Sequence, residues 1–133
     1  MLKWNASLAL GYPDIDQQHQ ELFARVNRLV SGMERGDLAE AQELFDFLGE
    51  YVVLHFGAEE LLMREAGFAG YGVHKAMHDR FVRDFTDLRL LFESSGASPA
   101  VTIKAKTWLV DWLRTHIGGA DQMLARHLLR RAG

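Results

Sequence analysis

The feature that most constrains the fold is a periodicity. Four long segments of the 133-residue sequence carry apolar residues at alternating spacings of three and four, and short runs rich in Gly, Pro, Ser or Asp separate them. This spacing places the apolar side chains on one face of an amphipathic α-helix. No stretch alternates apolar and polar residues over the length that a strand needs. The sequence therefore predicts an all-α fold, an up-down-up-down antiparallel four-helix bundle.

The helix ends follow from capping signals, and the whole chain is predicted to form one domain. We expect an ordered N-terminal arm at 1–13 and helices at about 15–35, 38–66, 71–94 and 99–131 of the domain 1–133. Asp14 followed by Gln17 resembles a capping box for the first helix. Ser98 and Pro99 are typical of the N-cap and first position of the last helix.

Composition excludes several classes of site and partner. The sequence has no cysteine, which excludes disulfides, thiolate zinc sites, cysteine-ligated clusters and thiol nucleophiles. Lys and Arg number 15 and Asp and Glu 18, and the net charge of −3 argues against a nucleic-acid partner. No apolar run approaches the roughly 18 residues of a membrane span, and the start lacks a signal-peptide core. We therefore predict a cytoplasmic protein without a membrane partner, a monomer or weak oligomer, in which nitrogen and oxygen must hold any metal.

Polar residues interrupt the apolar faces of all four helices. They are five of the six histidines and two carboxylates, namely His19, His55, Glu59, His74, His78, His116 and Asp121. Residues four apart on a helix are rotated by only about 40°, so His55 and Glu59 share a face. One buried histidine is usually a hydrogen-bonded core residue, but each unpaired polar group in a bundle interior costs about 1–3 kcal/mol. Bound cations would remove that cost. Five imidazoles and two carboxylates exceed one tetrahedral zinc site and favour two octahedral ions of iron, zinc or manganese.

These motifs resemble the hemerythrin family, in particular its single-domain bacterial members. The resemblance rests on the segment 11–19 that ends in His19, on His55-x3-Glu59, on His74-x3-His78 and on His116-x4-Asp121. It implies two iron ions with an oxo or hydroxo bridge. In the family pattern, His74, His78 and His116 would bind one iron, and His19 and His55 the other. Glu59 and Asp121 would bridge the two ions.

The resemblance also implies a function, reversible dioxygen binding by an oxygen carrier or store that is not an enzyme. Two octahedral irons offer twelve coordination positions, and the ligands above fill eleven of them. The remaining position lies on the iron with two histidines, where dioxygen would bind. The apolar wall of the family's oxygen pocket corresponds to Leu22, Trp112, Leu113 and Ile117.

Two other functions remain open on the sequence alone. One is an oxygen or redox sensor that acts through a partner, although the sequence does not indicate which protein that would be. The other is a di-iron enzyme that consumes peroxide or nitric oxide. An oxygenase is disfavoured because no histidine has a glutamate three residues before it, the motif of carboxylate di-iron bundles.

Two features depart from a regular helical pattern. His116 and Asp121 are five residues apart, about 140° on an ideal helix, so both cannot face one site without distortion. We predict a π-type bulge or local unwinding between them, at Gly118 and Gly119. His127, the sixth histidine, matches no ligand position and is predicted to be solvated near the end of its helix.

Overall fold

The computed structural model describes residues 2–132, which form helices and no strand. A 3-10 turn at Ala6–Leu8 precedes α1 (Pro13–Glu34), α2 (Leu38–Glu65) and α3 (Tyr71–Ser95). The fourth helix of the bundle consists of α4 (Pro99–Lys104), a π-helical segment (Ala105–Leu109), α5 (Val110–Gly118) and α6 (Ala120–Ala132). The predicted all-α four-helix bundle is confirmed. No helix in this described part of the chain is long and apolar enough to cross a membrane.

Side chains cap the starts of α2 and α4, whereas α1 begins without such a cap. The Asp37 carboxylate accepts a hydrogen bond from the Glu40 amide, and the Ser98 hydroxyl accepts one from Val101. The capping box predicted at Asp14 is wrong. Helix α1 begins at Pro13, whose fixed φ suits the first helical position, and no side chain caps it.

The N-terminal arm is tied to the bundle at three points. The Asn27 side chain exchanges two hydrogen bonds with the backbone of Leu2, at 2.8 and 3.0 Å. The Asp16 carboxylate accepts from the Leu10 amide at 2.7 Å, and Gln122 donates to the Leu8 carbonyl at 2.9 Å. These contacts hold the arm alongside α1, where the centroid of the Trp4 ring lies 6.1 Å from that of His19.

The buried apolar residues form two clusters with a polar layer between them. On α1, Ile15 belongs to the smaller cluster and Leu22 to the larger, and His19 lies between them. The smaller cluster consists of Leu10, Ile15, Met63, Ala66, Leu124 and Leu128. Hydrophobic burial on both sides therefore holds the polar layer inside the bundle.

The fourth helix is interrupted between His116 and Asp121. Helix α5 ends at Gly118, and Gly119 has φ −123° and ψ −81°, outside the helical region. The Gly119 amide donates to the His116 carbonyl at 3.3 Å, and the Gly119 carbonyl accepts from the first turn of α6. The predicted local unwinding is confirmed, whereas the π-helical segment lies earlier, at Ala105–Leu109. The helix expected at 99–131 is not continuous because the five-residue gap must turn both side chains inward.

We predict that Gly119→Ala disrupts this interruption and Gly118→Ala does not. A Cβ at Gly119 would lie 2.8 Å from the Thr115 carbonyl oxygen, which is backbone and cannot move aside easily. A Cβ at Gly118 would meet only the Leu8 side chain, at 3.8 Å. We expect Gly119→Ala to lower the free energy of unfolding by about 1–3 kcal/mol in urea titrations, and Gly118→Ala to change it by under about 1 kcal/mol. Equal effects of the two substitutions would contradict this steric explanation.

Candidate metal centre

The structure brings together all seven residues that the sequence singled out. Their exposed fractions range from 0 to 7%. Helix α1 supplies His19, α2 supplies His55 and Glu59, α3 supplies His74 and His78, and the interrupted fourth helix supplies His116 and Asp121. All five imidazoles present Nε2 to the interior of the layer.

The two oxygens of Glu59 face different groups of histidines. Oε1 lies 2.8 Å from His74 Nε2 and 3.2 Å from His78 Nε2. Oε2 lies 3.3 Å from His19 Nε2 and 3.2 Å from His55 Nε2. Glu59 thus lies between a three-histidine group on one side (His74, His78 and His116) and a two-histidine group on the other (His19 and His55).

Asp121 divides its oxygens in the same way. Oδ1 lies 3.0 Å from His74 Nε2 and 3.3 Å from His116 Nε2. Oδ2 lies 3.2 Å from His19 Nε2. Each histidine group therefore receives one oxygen from each carboxylate, the arrangement that two bridging carboxylates require.

Polar atoms without partners indicate that the layer suits a cation. Both carboxylate oxygens of Asp121 are buried without a well-aligned hydrogen-bond donor among the described residues. The Nε2 atoms of His78 and His116 face each other at 3.1 Å. Since His78 donates from Nδ1 to Glu60, its neutral ring has a lone pair on Nε2. A bound cation would satisfy these lone pairs together.

The spacing of the donor atoms suits six-coordinate ions. Neighbouring ligands about 2.1 Å from one ion lie about 3.0 Å apart in octahedral geometry and about 3.4 Å apart in tetrahedral geometry. In the three-histidine group, the contacts of His74 Nε2 with Glu59 and Asp121 are 2.8 and 3.0 Å, and the two facing Nε2 atoms are 3.1 Å apart. These three distances match octahedral geometry, and the other contacts of the layer, at 3.2–3.3 Å, lie between the two values. Three nitrogens and two oxygens around one ion also exceed the four ligands of tetrahedral zinc.

Without an ion, the layer balances its charges by protonation. Burial lowers the pKa of His19, but its close contact with Asp121 and its hydrogen bond to Glu59 outweigh burial and raise the pKa to about 9. The same causes raise the pKa of His74 to about 9. Burial lowers the pKa of His55. Burial opposes ionisation of Asp121, but the close contacts of its oxygens with His116, His19 and His74 lower its pKa to about 2. Protonated histidines thus compensate the buried carboxylates.

Sequence reasoning missed three residues that hold the histidines in place. Gln18 Oε1 accepts from His55 Nδ1 at 2.8 Å, and Glu60 Oε2 accepts from His78 Nδ1 at 2.9 Å. The Phe56 ring stacks on His78 with centroids 3.8 Å apart. Each contact joins two different helices, so the periodicity of one helix carries no signal for it.

Of the four residues expected around an oxygen pocket, three belong to the larger apolar cluster and Trp112 packs against it. Leu22, Leu113 and Ile117 are each 1% exposed, and Trp112 is partly buried. The Trp112 ring stacks on His116 with centroids 4.4 Å apart. Their role beside dioxygen stays a prediction.

His127 lies outside the layer, and the prediction that it is solvated is wrong. It is partly buried, and its Nε2 lies 2.9 Å from the Ala66 carbonyl oxygen. Arg131 donates to the same oxygen at 2.6 Å. The last carbonyls of a helix have no partner within that helix, and these two side chains satisfy one at the end of α2.

Comparison with known proteins agrees with this geometry. Residues 10–128 match the family model described as the hemerythrin HHE cation binding domain. The chain belongs to the hemerythrin family. It is 34% identical over 125 residues to a bacteriohemerythrin of Stenotrophomonas maltophilia, covering 94% of this chain and 80% of the relative. It is 35% identical over 108 residues to a bacteriohemerythrin of Methylococcus capsulatus, covering 81% of each. A crystal structure of wild-type hemerythrin superimposes with a TM-score of 0.82 at 31% identity, covering 96% of this chain and 98% of that one.

The protonation of the layer predicts opposite pH dependence for the metal-free and metal-loaded protein. The pKa values of His19 and His74 rise from 6.5 to about 9 on folding. Their contribution to stability is therefore complete below pH 6.5 and is lost as the pH rises through about 9. We expect the metal-free protein to be less stable at pH 9 than at pH 6.

The loaded protein should instead lose metal on acidification, because a coordinating nitrogen must be unprotonated. Urea titrations at both pH values, with and without metal, measure this; equal stability of the metal-free protein at pH 6 and 9 would contradict it.

Proposed function

We propose that this protein binds dioxygen reversibly at a pair of non-heme iron ions, as an oxygen carrier or store. One observation carries the proposal. Glu59 and Asp121 each direct one oxygen to the three-histidine group and the other to the two-histidine group. Together with membership of the hemerythrin family, this arrangement supports a bridged pair of ions.

The donor atoms define which residues would hold each ion. His74, His78 and His116 would bind one iron, His19 and His55 the other, and the two carboxylates would bridge them with an oxo or hydroxo group. When bound, the two irons supply the two electrons that dioxygen takes up on binding and returns on release. Neutral imidazole and carboxylate are suitable ligands for iron in both of its common oxidation states.

The apolar residues next to the layer would keep the reaction reversible. Leu22 follows His19 by one turn of α1, and Leu113 and Ile117 flank His116 on α5. All three are buried. An apolar wall excludes water and makes a change in net charge unfavourable, so electrons and protons are retained within the site.

The layer favours binding over turnover. Among the described residues, the buried ionisable side chains are the seven of the proposed ligand set. Glu60 is hydrogen-bonded to His78. A di-iron enzyme that consumes peroxide or nitric oxide would need a proton donor beside the substrate. No buried acid or base is left over for that step in this part of the chain.

The test is an iron count combined with visible absorption. The purified protein is reduced under argon, exposed to air and then purged again. We expect two irons per chain and an absorption band that appears in air and disappears on purging. A stable ferric form that purging does not reverse would instead support a redox sensor or a consuming enzyme. Absence of iron would refute the proposal.

We predict that His19→Ala abolishes dioxygen binding and that His127→Ala does not. His19 belongs to the two-histidine group, where the free coordination position is expected, whereas His127 contacts only the end of α2 and its neighbours. His19→Ala should reduce the iron content to about one per chain while far-ultraviolet circular dichroism still shows a folded bundle. Retention of reversible oxygenation in folded His19→Ala protein would contradict the assignment.

A further inference from the structure

The outer nitrogens of the layer's histidines have unequal partners. His78 Nδ1 lies 2.9 Å from a carboxylate oxygen of Glu60. His55 Nδ1 lies 2.8 Å from the amide oxygen of Gln18. His19 Nδ1 is buried without a hydrogen-bond partner among the described residues. The outer nitrogen that faces a carboxylate thus belongs to the three-histidine group, and the one that faces a neutral amide belongs to the two-histidine group. Nδ1 of the other three histidines, His19, His74 and His116, forms no hydrogen bond among the described residues.

These contacts fix how each ring can act as a ligand. Carboxylate and amide oxygens only accept, so Nδ1 carries the proton in His78 and in His55, and Nε2 keeps its lone pair. The Phe56 ring, stacked on His78, also holds the plane of that imidazole. Glu60 is only 15% exposed at its side chain, so water screens its negative charge incompletely.

We infer that Glu60 and Gln18 make the two metal positions unequal, so that the three-histidine position fills first and the two-histidine position holds the more easily lost ion. An anionic acceptor increases the electron density that an imidazole donates and adds negative charge beside the cation, and a neutral amide does so less. This effect adds to the difference in the number of histidines. The inference rests on the proposed function, because it assumes two ions in the layer.

The inequality has a consequence for oxygen binding. The free coordination position is expected on the ion of the two-histidine position, which is the ion held less tightly. A chelator should therefore remove first the ion to which dioxygen would bind. A protein with one remaining ion should keep a folded three-histidine position and lose oxygen binding.

The test is a titration of metal-free full-length protein with Co²⁺ in the presence of a competing chelator. Co²⁺ accepts the same nitrogen and oxygen donors as Fe²⁺. We expect two classes of binding, of which His19→Ala removes only the weaker. Glu60→Gln should weaken the tighter class by about 10- to 100-fold, the range typical of lost outer partners. Gln18→Glu should strengthen the weaker class. The double variant Glu60→Gln/Gln18→Glu has an unchanged net charge and should narrow or reverse the difference between the two binding constants.

Two substitutions at exposed neighbours are matched controls. Glu65→Gln removes the same charge as Glu60→Gln from the same helix, and Gln17→Glu adds the same charge one residue from Gln18. Neither Glu65 nor Gln17 is hydrogen-bonded to a histidine in the described structure. Both substitutions should therefore leave the two Co²⁺ binding constants within about threefold of those of the unaltered protein.

The outcomes separate the two proposals. If the protein binds two ions and Glu60→Gln and Glu65→Gln change the tighter binding constant equally, the inference is overturned. The di-iron proposal then stays intact. Loss of the tighter class in His19→Ala would also overturn it. Fewer than two Co²⁺ ions bound by the unaltered protein would overturn both. If circular dichroism shows that Glu60→Gln does not fold, the Gln18→Glu variant tests the inference instead. An unchanged binding constant of the weaker class in that variant would overturn the inference.

Discussion

Burial of a polar layer inside an apolar bundle is the constraint on which the rest of this structure depends. Five imidazoles and two carboxylates occupy a level where each unpaired polar group is costly. The metal-free layer reduces that cost by protonating His19 and His74 beside Glu59 and Asp121. Bound cations can take the place of those protons with the same donor atoms. The two buried carboxylates are therefore compensated by protons or by cations, and the apolar clusters on both sides keep the layer in place.

The same constraint explains the irregular fourth helix. His116 and Asp121 must reach one layer from positions five residues apart, and a regular helix would direct them to different faces. Gly119 makes the interruption possible because a side chain there would meet the backbone of the preceding turn. The arm is attached next to this interruption, where Gln122 donates a hydrogen bond to the Leu8 carbonyl. A local departure from helical geometry thus serves the geometry of the centre.

Packing also sets how each imidazole is presented. Phe56 and Trp112 stack on His78 and His116, and Glu60 fixes which nitrogen of His78 carries its proton. The bundle therefore supplies rings that are already oriented, so little ordering is needed when metal binds. The differing outer partners add to the difference in histidine number between the two groups of the layer.

The sequence by itself determined the helical bundle and the set of buried polar residues, because both depend on periodicity within one helix. It also required a distortion near Gly118 and Gly119, since the five-residue spacing is incompatible with a regular helix. Only the tertiary structure decided how the carboxylate oxygens divide between the histidine groups. It also decided which residues contact the outer nitrogens, and that His127 contacts the Ala66 carbonyl. These contacts join different helices, and their geometry depends on how the helices pack, which periodicity within a single helix does not specify.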